Sequence, residues 1–397
     1  MSVARSGFLL TVPRMALAGA VLVAASCWSL ALDHDVMLSV YQGPCTEGDF
    51  AANLATKRKV IAQAREPGSD CVVPEALLSG YESRPKVGQS ARPLSDPDLR
   101  QPLTDFRRPT SDADLRFWLD NMVRVHRFSP GEVSAATGLN LDEISEAMKK
   151  WSLNNALPPN RSPGEPLRVL PYPGGRHPRI GFLEGAIMPQ RETKVSVFTP
   201  WDDASYVVVD VPEAIFSSLG LTYLAHTHIP TIWDQQGVKL PRLEWNRRAD
   251  GTLDSERTLP NGIAFGARVA PSPTEVRMEL WLRNGTPEKL TGLRVQNCVM
   301  LKMASGFAAQ TLTNKVFKAP YAAVRSEDGR RWIITAWAPV QRCWGNDQCP
   351  CLHSDPQFPD CGPGETQRLR GWLSFFEGTA IEGEFKRLEE TGWRKGP

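Results

Sequence analysis

Blocks of basic residues are absent from this chain of 397 residues, and histidine is scarce, with six in all. Lysine and arginine nearly balance aspartate and glutamate, for a formal net charge of +2. Without a cluster of positive charge to gather phosphates, capture of a nucleic acid is excluded, and a neutral or modestly acidic ligand suits the composition better. Long apolar runs are also few. Beyond residue 32 no segment is apolar enough to span a bilayer.

What the N-terminus does have is a targeting pattern. Arg5 and Arg14 precede the run Met15-Ala-Leu-Ala-Gly-Ala-Val-Leu-Val-Ala-Ala, and Ser29-Leu30-Ala31 offers small residues for cleavage. This predicts a signal peptide over 1–31 and an exported chain, periplasmic or extracellular, with no membrane span after its removal. If retained, Met15 to Leu32 is just long enough to be a membrane anchor. Cys27, after Ala24-Ala25-Ser26, makes an imperfect lipoprotein box. Cleavage leaves seven cysteines. Cys298, in an apolar run, reads as a buried thiol, and the other six predict three disulfides: Cys45 with Cys71, and Cys343, Cys349, Cys351 and Cys361 among themselves.

Residues 32–110 are rich in turn formers and predict an extended or partly disordered segment. A helical hairpin region is expected over 111–157, where Leu115, Trp118, Leu119 and Met122 recur at three- and four-residue intervals and Ser129-Pro-Gly-Glu132 starts a second helix. Gly138 and Asn140 then give a turn and a new cap, a pattern that resembles a helix-turn-helix. Asp142, Glu143 and Glu146 on its second helix would repel phosphates, so the pair is expected to pack rather than to read DNA. Seven prolines and Gly174-Gly175 mark 158–178 as a linker.

From 179 to 397 the chain predicts strand after strand, with a cysteine-rich loop at 343–361 and a C-terminal helix from Ile381 to Trp393. The fold class expected is mainly β, an antiparallel β-sandwich with a small helical N-terminal accessory region. Alternation is clearest in Glu275 to Arg283: Val276, Met278, Leu280 and Leu282 face a core, while Arg277, Glu279, Trp281 and Arg283 face out. That strand ends in Asn284-Gly285 and is followed by Leu290-Thr-Gly-Leu-Arg-Val-Gln. The hairpin resembles the central hairpin of the galactose-mutarotase-like β-sandwiches found in carbohydrate-active proteins. The resemblance spans 190–380 in style and implies a saccharide ligand.

Four groups of residues could carry chemistry. His226 and His228 alternate on one expected strand, so their imidazoles would project together as proton-transfer groups or as ligands of a divalent metal, with Asp234 or Glu279 as the acidic partner. Glu192 and Glu244 are further candidates for that acid. Gly220, five residues, then His-x-His is also similar to the first motif of the cupins, which bind a metal, although the following glutamate and the second histidine motif are missing. Tryptophans form the second group: Trp201, Trp233 and Trp337 are the expected stacking surface for pyranose rings. In the third, Cys349, Cys351, His353 and Cys361 could bind zinc, but their one-residue gaps favour local disulfides that would present His353 and Asp355 to a cleft. The fourth is a patch around Arg176-His177-Pro-Arg179 and Arg191-Glu192, suited to uronic acids or to plain ion pairs.

The reading is therefore an exported carbohydrate-active protein, a glycoside hydrolase, lyase or epimerase. Its catalytic candidates are His226, His228, Asp234 and Glu279, and its substrate-binding candidates are Trp201, Trp233, Trp337, Arg191 and His353. The competing readings are a non-enzymatic secreted carbohydrate-binding or assembly module and a cupin-like metalloprotein.

Overall fold

The computed structural model describes residues 106–153, 161–162, 164–176, 191–225, 229–347 and 349–395, and the backbone alone of 8–12, 36–41 and 71–74. Compactness divides the chain into two units, residues 1–98 and 99–397. In the first, Phe8–Val12 pairs antiparallel with Val36–Tyr41, which pairs parallel with Cys71–Pro74. Phe8–Val12 falls within the expected signal and the other two strands within the expected extended segment. The apolar run from Met15 to Leu32 lies outside the described residues. Among those described, no helix is long and apolar enough to cross a membrane.

The second unit is mainly β, with three antiparallel sheets and a few helices. Its large sheet has eight strands, in the order Lys315–Lys318, Tyr321–Arg325, Arg331–Ala338, Thr366–Glu377, Glu275–Arg283, Ala264–Pro271, Leu253–Thr258 and Asn246–Arg247. Glu275–Arg283 keeps the alternation read from sequence: Val276, Met278, Leu280 and Leu282 are buried and Arg283 is exposed. A six-stranded sheet faces it, in the order Val340–Asn346, Cys351–Pro356, Cys298–Met300, Tyr206–Asp210, Lys194–Phe198 and Val169–Pro171. Val195, Val197, Val207, Val209, Val299 and Leu352 of this sheet close one core with Phe265, Met278, Leu280, Ile333 and Leu373 of the other. A three-stranded sheet of Ala214–Ser217, Gly220–Leu224 and Val295–Gln296 completes the unit.

The outer faces are covered as well. Ile381–Glu390, the C-terminal helix, lays Ile381, Phe385 and Leu388 on Tyr321, Trp332 and Trp372 of the large sheet. On the smaller sheet, Lys194–Phe198 and Tyr206–Asp210 are buried at every position, so both of their faces meet protein. The helical segment lies on the second face. Asp112–Leu119 runs into a π-helical turn, Asp120–Val125, which delivers Asn121 and His126 to that sheet: Asn121 Nδ2 donates to Pro171 O at 3.0 Å and His126 Nε2 lies 2.7 Å from Ser196 Oγ. Helices Pro130–Thr137 and Leu141–Lys150 follow, each with a capping box, on Ser129/Glu132 and Asn140/Glu143. Gly138 between them is left-handed (φ 69°), and a Cβ there would strike the Phe106 ring. These helices and the sandwich share one compact unit. Val169–Pro171, inside the proline-rich stretch expected to be a linker, is an edge strand of the smaller sheet.

Residues 343–361 are not a disulfide-pinned loop. Val340–Asn346 and Cys351–Pro356 form a hairpin at the edge of the six-stranded sheet, and no disulfide is present among the described cysteines. Strand alternation sends Cys343 and Cys351 of this hairpin to opposite faces. Cys343 and Cys361 turn into the sandwich core, whereas Cys349 and Cys351 belong to the cluster on the opposite face together with Cys298. Of the remaining expected bridge, Cys45 is outside the described residues and Cys71 is described in backbone alone.

His126 is sealed between the helical segment and the sheet, in edge contact with Phe128, Tyr172, Phe198 and Tyr206. Burial, reinforced by the nearby Arg176 charge, lowers its pKa from 6.5 to about 3, against the opposing pull of the Asn121 carbonyl. The unfolded chain therefore binds a proton at this residue between pH 6.5 and pH 3 that the folded chain refuses. Stability falls as pH drops through that window, by on the order of 4 kcal/mol at its acid end. In His126→Gln the pH dependence of urea unfolding should be flatter by close to one proton per chain over this range; a slope identical to the parent's would contradict the assignment.

Candidate functional site

The alternation that places valines in the core places polar residues on the other face of the six-stranded sheet, and the strand registers align them. Trp344 lies opposite His353, His353 opposite Cys298, and Lys194 opposite Asp210. Since Val299 faces Val209, the next position sets Cys298 beside Asp210. One row of the sheet thus reads Trp344, His353, Cys298, Asp210, Lys194. Glu213, just beyond the strand that ends at Asp210, joins it. The reactive atoms of Cys298, Cys351 and His353 all lie within 4.8 Å of one another, as do those of Asp210, Glu213 and Cys298.

Apart from the half-exposed Trp344, this row is buried, at 0% exposure for Lys194, Asp210 and Cys298 and 2% for His353. Lys194 Nζ and Asp210 Oδ1 form an ion pair at 3.0 Å. His353 Nδ1 sits 3.4 Å from Asp355 Oδ1, which also accepts from Asn297 N at 3.1 Å. Asp355 Oδ2 accepts from Arg342 Nε at 3.0 Å and Trp344 Nε1 at 2.6 Å. The Trp344 ring stacks on the imidazole at 4.0 Å between centroids. Burial alone would depress the pKa of His353, but the Cys298 sulfur and the Asp355 carboxylate, both hydrogen-bonded to the ring, outweigh it and raise the pKa to about 10. Thiol, imidazole and carboxylate in line can hold a proton or a metal.

A second array joins the helical segment to the sandwich. Glu192 receives Arg107 Nη2 at 3.3 Å, Arg257 Nη2 at 3.1 Å and the Tyr223 hydroxyl at 3.0 Å. Glu244 Oε1 receives Arg107 Nη1 at 2.8 Å and Arg191 Nη2 at 2.8 Å, and Arg191 lies 3.9 Å from the Trp118 ring centre. Arg176 makes a bidentate pair with Glu132 and donates to Tyr206 Oη at 3.0 Å. The arginines at 176 and 191 are therefore internal ties between elements. His177 and Arg179 lie outside the described residues.

The third feature is a cleft of about 210 Å³ lined by Arg161, Arg168, Phe198, Thr199, Pro200, Trp201, Asp202 and Asp203. Phe198 ends its strand, and the turn after it is held by Asp202, whose Oδ1 accepts from Ala204 N at 2.9 Å and whose carbonyl accepts from Ser205 N at 3.0 Å. Asp203 Oδ1 stands 3.9 Å from Arg168 Nη1. Guanidinium and carboxylate groups thus line one small opening.

The sites read from sequence are dispersed. His226 and His228 lie outside the described residues; Ala225 before them donates its N–H to Glu213 O at 2.7 Å. Asp234 caps the short helix Ile232–Gln235, accepting from Thr231 N at 2.8 Å and Thr231 Oγ1 at 2.7 Å. Glu279, on the outer face of the large sheet, pairs with Arg368 and Arg370. Trp233 and Trp337 are both within the sandwich core, the first bonded to Thr222 O at 2.8 Å and the second pressed on Gly371, where a sugar has no access. Trp201 borders the cleft, with Phe307 stacked on its ring. Arg191 ties Glu244, and His353 is in the buried row. The reading missed Lys194, Asp210, Glu213 and Cys298 as site residues, because Lys194 and Ser196 alternating with Val195 and Val197 have the pattern of a solvent-facing strand.

No known family profile matches the chain, and no curated protein matches it. Among solved structures it is similar to a "Putative aldose 1-epimerase" from Escherichia coli K12, at 12% identity and a TM-score of 0.28 over 44% of this chain and 84% of that one. A "Putative kojibiose phosphorylase" from the human microbiome gives 5% identity and a TM-score of 0.30 over 47% of this chain and 26% of that one. The Slr1438 protein from Synechocystis sp. PCC 6803 gives 11% and 0.29 over 57% and 99%.

Glu192 is the point on which the arginine array turns. Glu192→Gln removes the charge that faces two buried guanidinium groups and should lower stability by about 3–5 kcal/mol in urea unfolding. A loss under about 1 kcal/mol would mean that Arg107 and Arg257 are neutralised elsewhere.

Proposed function

We propose that the protein is carbohydrate-active and takes a saccharide in the cleft beside Trp201. The observation that supports this most is the lining itself: two arginines and two aspartates around one opening, bordered by Phe198 and Trp201. Sugar hydroxyls donate and accept at once, and charged groups of both signs provide complementary partners for them. At about 210 Å³ the space is smaller than the roughly 300–1,000 Å³ of drug-sized sites, so it fits a single ring or chain end. With Phe307 already stacked on the indole, recognition is chiefly polar.

Export through the N-terminal segment, periplasmic or extracellular, belongs to this proposal and rests on Arg5, Arg14 and the apolar run after them. So does the reaction class of hydrolase, lyase or epimerase, for which Asp202 and Asp203 would be the carboxylates nearest the sugar. Binding without turnover is a second reading. The sealing of His126 and His353, at 1% and 2% exposure, favours it, because neither imidazole reaches a ligand in the cleft without rearrangement.

Calorimetric titration with a panel of neutral and acidic mono- and oligosaccharides tests the proposal, beside an assay for reducing-end or unsaturated products. Asp203→Asn and Arg168→Met should each weaken binding about 10- to 100-fold, the loss of a charge-assisted hydrogen bond. Failure of every sugar to bind, or equal affinity in parent and variants, would remove the saccharide from this cleft. Product formation decides between turnover and binding alone.

A further inference from the structure

We propose that Cys298, Cys351 and His353 form a buried site for a divalent transition metal of the zinc class, closed by a carboxylate from Asp210 or Glu213. This is independent of the saccharide cleft and shares none of its residues.

The donor set is the first reason. Thiolate sulfur and imidazole nitrogen are the preferred ligands of zinc, and here two sulfurs and one imidazole come within 4.8 Å of each other. A tetrahedral zinc ion needs such atoms about 3.5–3.8 Å apart, given bonds of roughly 2.3 Å to sulfur and 2.0 Å to nitrogen. The atoms have to draw together by at most about an ångström to reach that spacing. Sheet geometry supplies the convergence. Cys351 and His353 are two apart on one strand and share a face, and Cys298 stands directly opposite His353 on the neighbouring strand. On its other side, the carboxylates of Asp210 and Glu213 approach the same sulfur.

The surroundings of the imidazole are the second reason. A metal-bound histidine characteristically turns its other nitrogen to a carboxylate that fixes ring and tautomer. His353 Nδ1 faces Asp355 Oδ1 at 3.4 Å, which leaves Nε2 toward the sulfurs. Asp355 is itself held by Asn297 N, Arg342 Nε and Trp344 Nε1, and the Trp344 ring stacks on the imidazole. Four groups thus aim one ring.

Charge is the third. Binding releases to solvent the protons that Cys298, Cys351 and His353 hold between them, and a divalent ion with two thiolates, one neutral imidazole and one carboxylate has one net negative charge. Lys194, fully buried and 3.0 Å from Asp210, provides the opposite charge beside it.

The test uses the full chain, purified under reducing conditions without added chelator. Elemental analysis should find about one zinc per chain. After exchange, cobalt(II) should give the near-ultraviolet sulfur-to-metal charge-transfer band and strong visible bands of a tetrahedral thiolate site. Cys298→Ser and Cys351→Ser should each abolish the charge-transfer band or lower cobalt affinity at least 100-fold, while Cys343→Ser and Cys361→Ser, on the core side, leave it intact. Asp355→Asn should weaken affinity about 10- to 100-fold with the band retained. Metal-free parent protein that gives no band on adding cobalt would overturn the proposal even if the serine variants do not fold. A band that survives both Cys298→Ser and Cys351→Ser, or a disulfide between these two cysteines in the purified chain, would overturn it too.

Discussion

The arrangement of this unit depends on one sheet having protein on both faces. A strand that is buried on both sides cannot send alternate residues to water, so each polar residue on its second face must find a partner inside. Lys194 and Asp210 do so with each other at 3.0 Å, Ser196 with His126, and His353 with Asp355. These pairings fix where the helical segment sits. His126 at the end of the π turn, the neighbouring Asn121 and the Arg176 to Glu132 fork all tie that segment to the same sheet.

Stability does not require that row to be ionic. Replacing a buried ion pair by apolar residues of similar size is often neutral or stabilising, and the next row of the same face shows the apolar solution in Met300 and Val208. Two adjacent rows in one environment thus differ in chemistry. The ionic one also gathers the sulfur, imidazole and carboxylate groups, which is why it, rather than the equally buried arginine array, reads as a site. Around Glu192 the groups are arginines, a glutamate and a tyrosine whose phenol is pushed well above its usual range by burial and by Glu192. Such a set locks elements together and offers no soft ligand.

Much of the sandwich was legible because it obeys period two with a clean division of faces. Val276 to Arg283 could be read residue by residue, and the caps at Ser129 and Asn140 announced themselves by side-chain chemistry. The second covered face was not legible. Its strands have polar residues where water was expected, so Lys194, Asp210 and Cys298 looked like the solvent side or the core of an ordinary strand. The hairpin at 340–356 was hidden for a related reason: its cysteines, proline and histidine read as a loop, while the pairing that makes it a sheet edge joins His353 to Cys298, distant in sequence.

The tryptophans show the same limit from the other direction. An indole is equally at home against a sugar or in a core, and composition does not distinguish them. What decides is the partner. A core strand can give an indole a flat seat by omitting a side chain, as Gly371 does for Trp337, and a buried N–H needs an internal acceptor, as Trp233 has in Thr222 O. Trp344 differs from both. It is half-exposed, has one face on an imidazole and sends its N–H to the carboxylate that orients that imidazole. Its geometry serves His353 rather than the core. The convergence expected of two histidines at alternate strand positions is found instead in Cys351 and His353: residues two apart share a face, and a cross-strand neighbour, Cys298, completes what a single strand cannot.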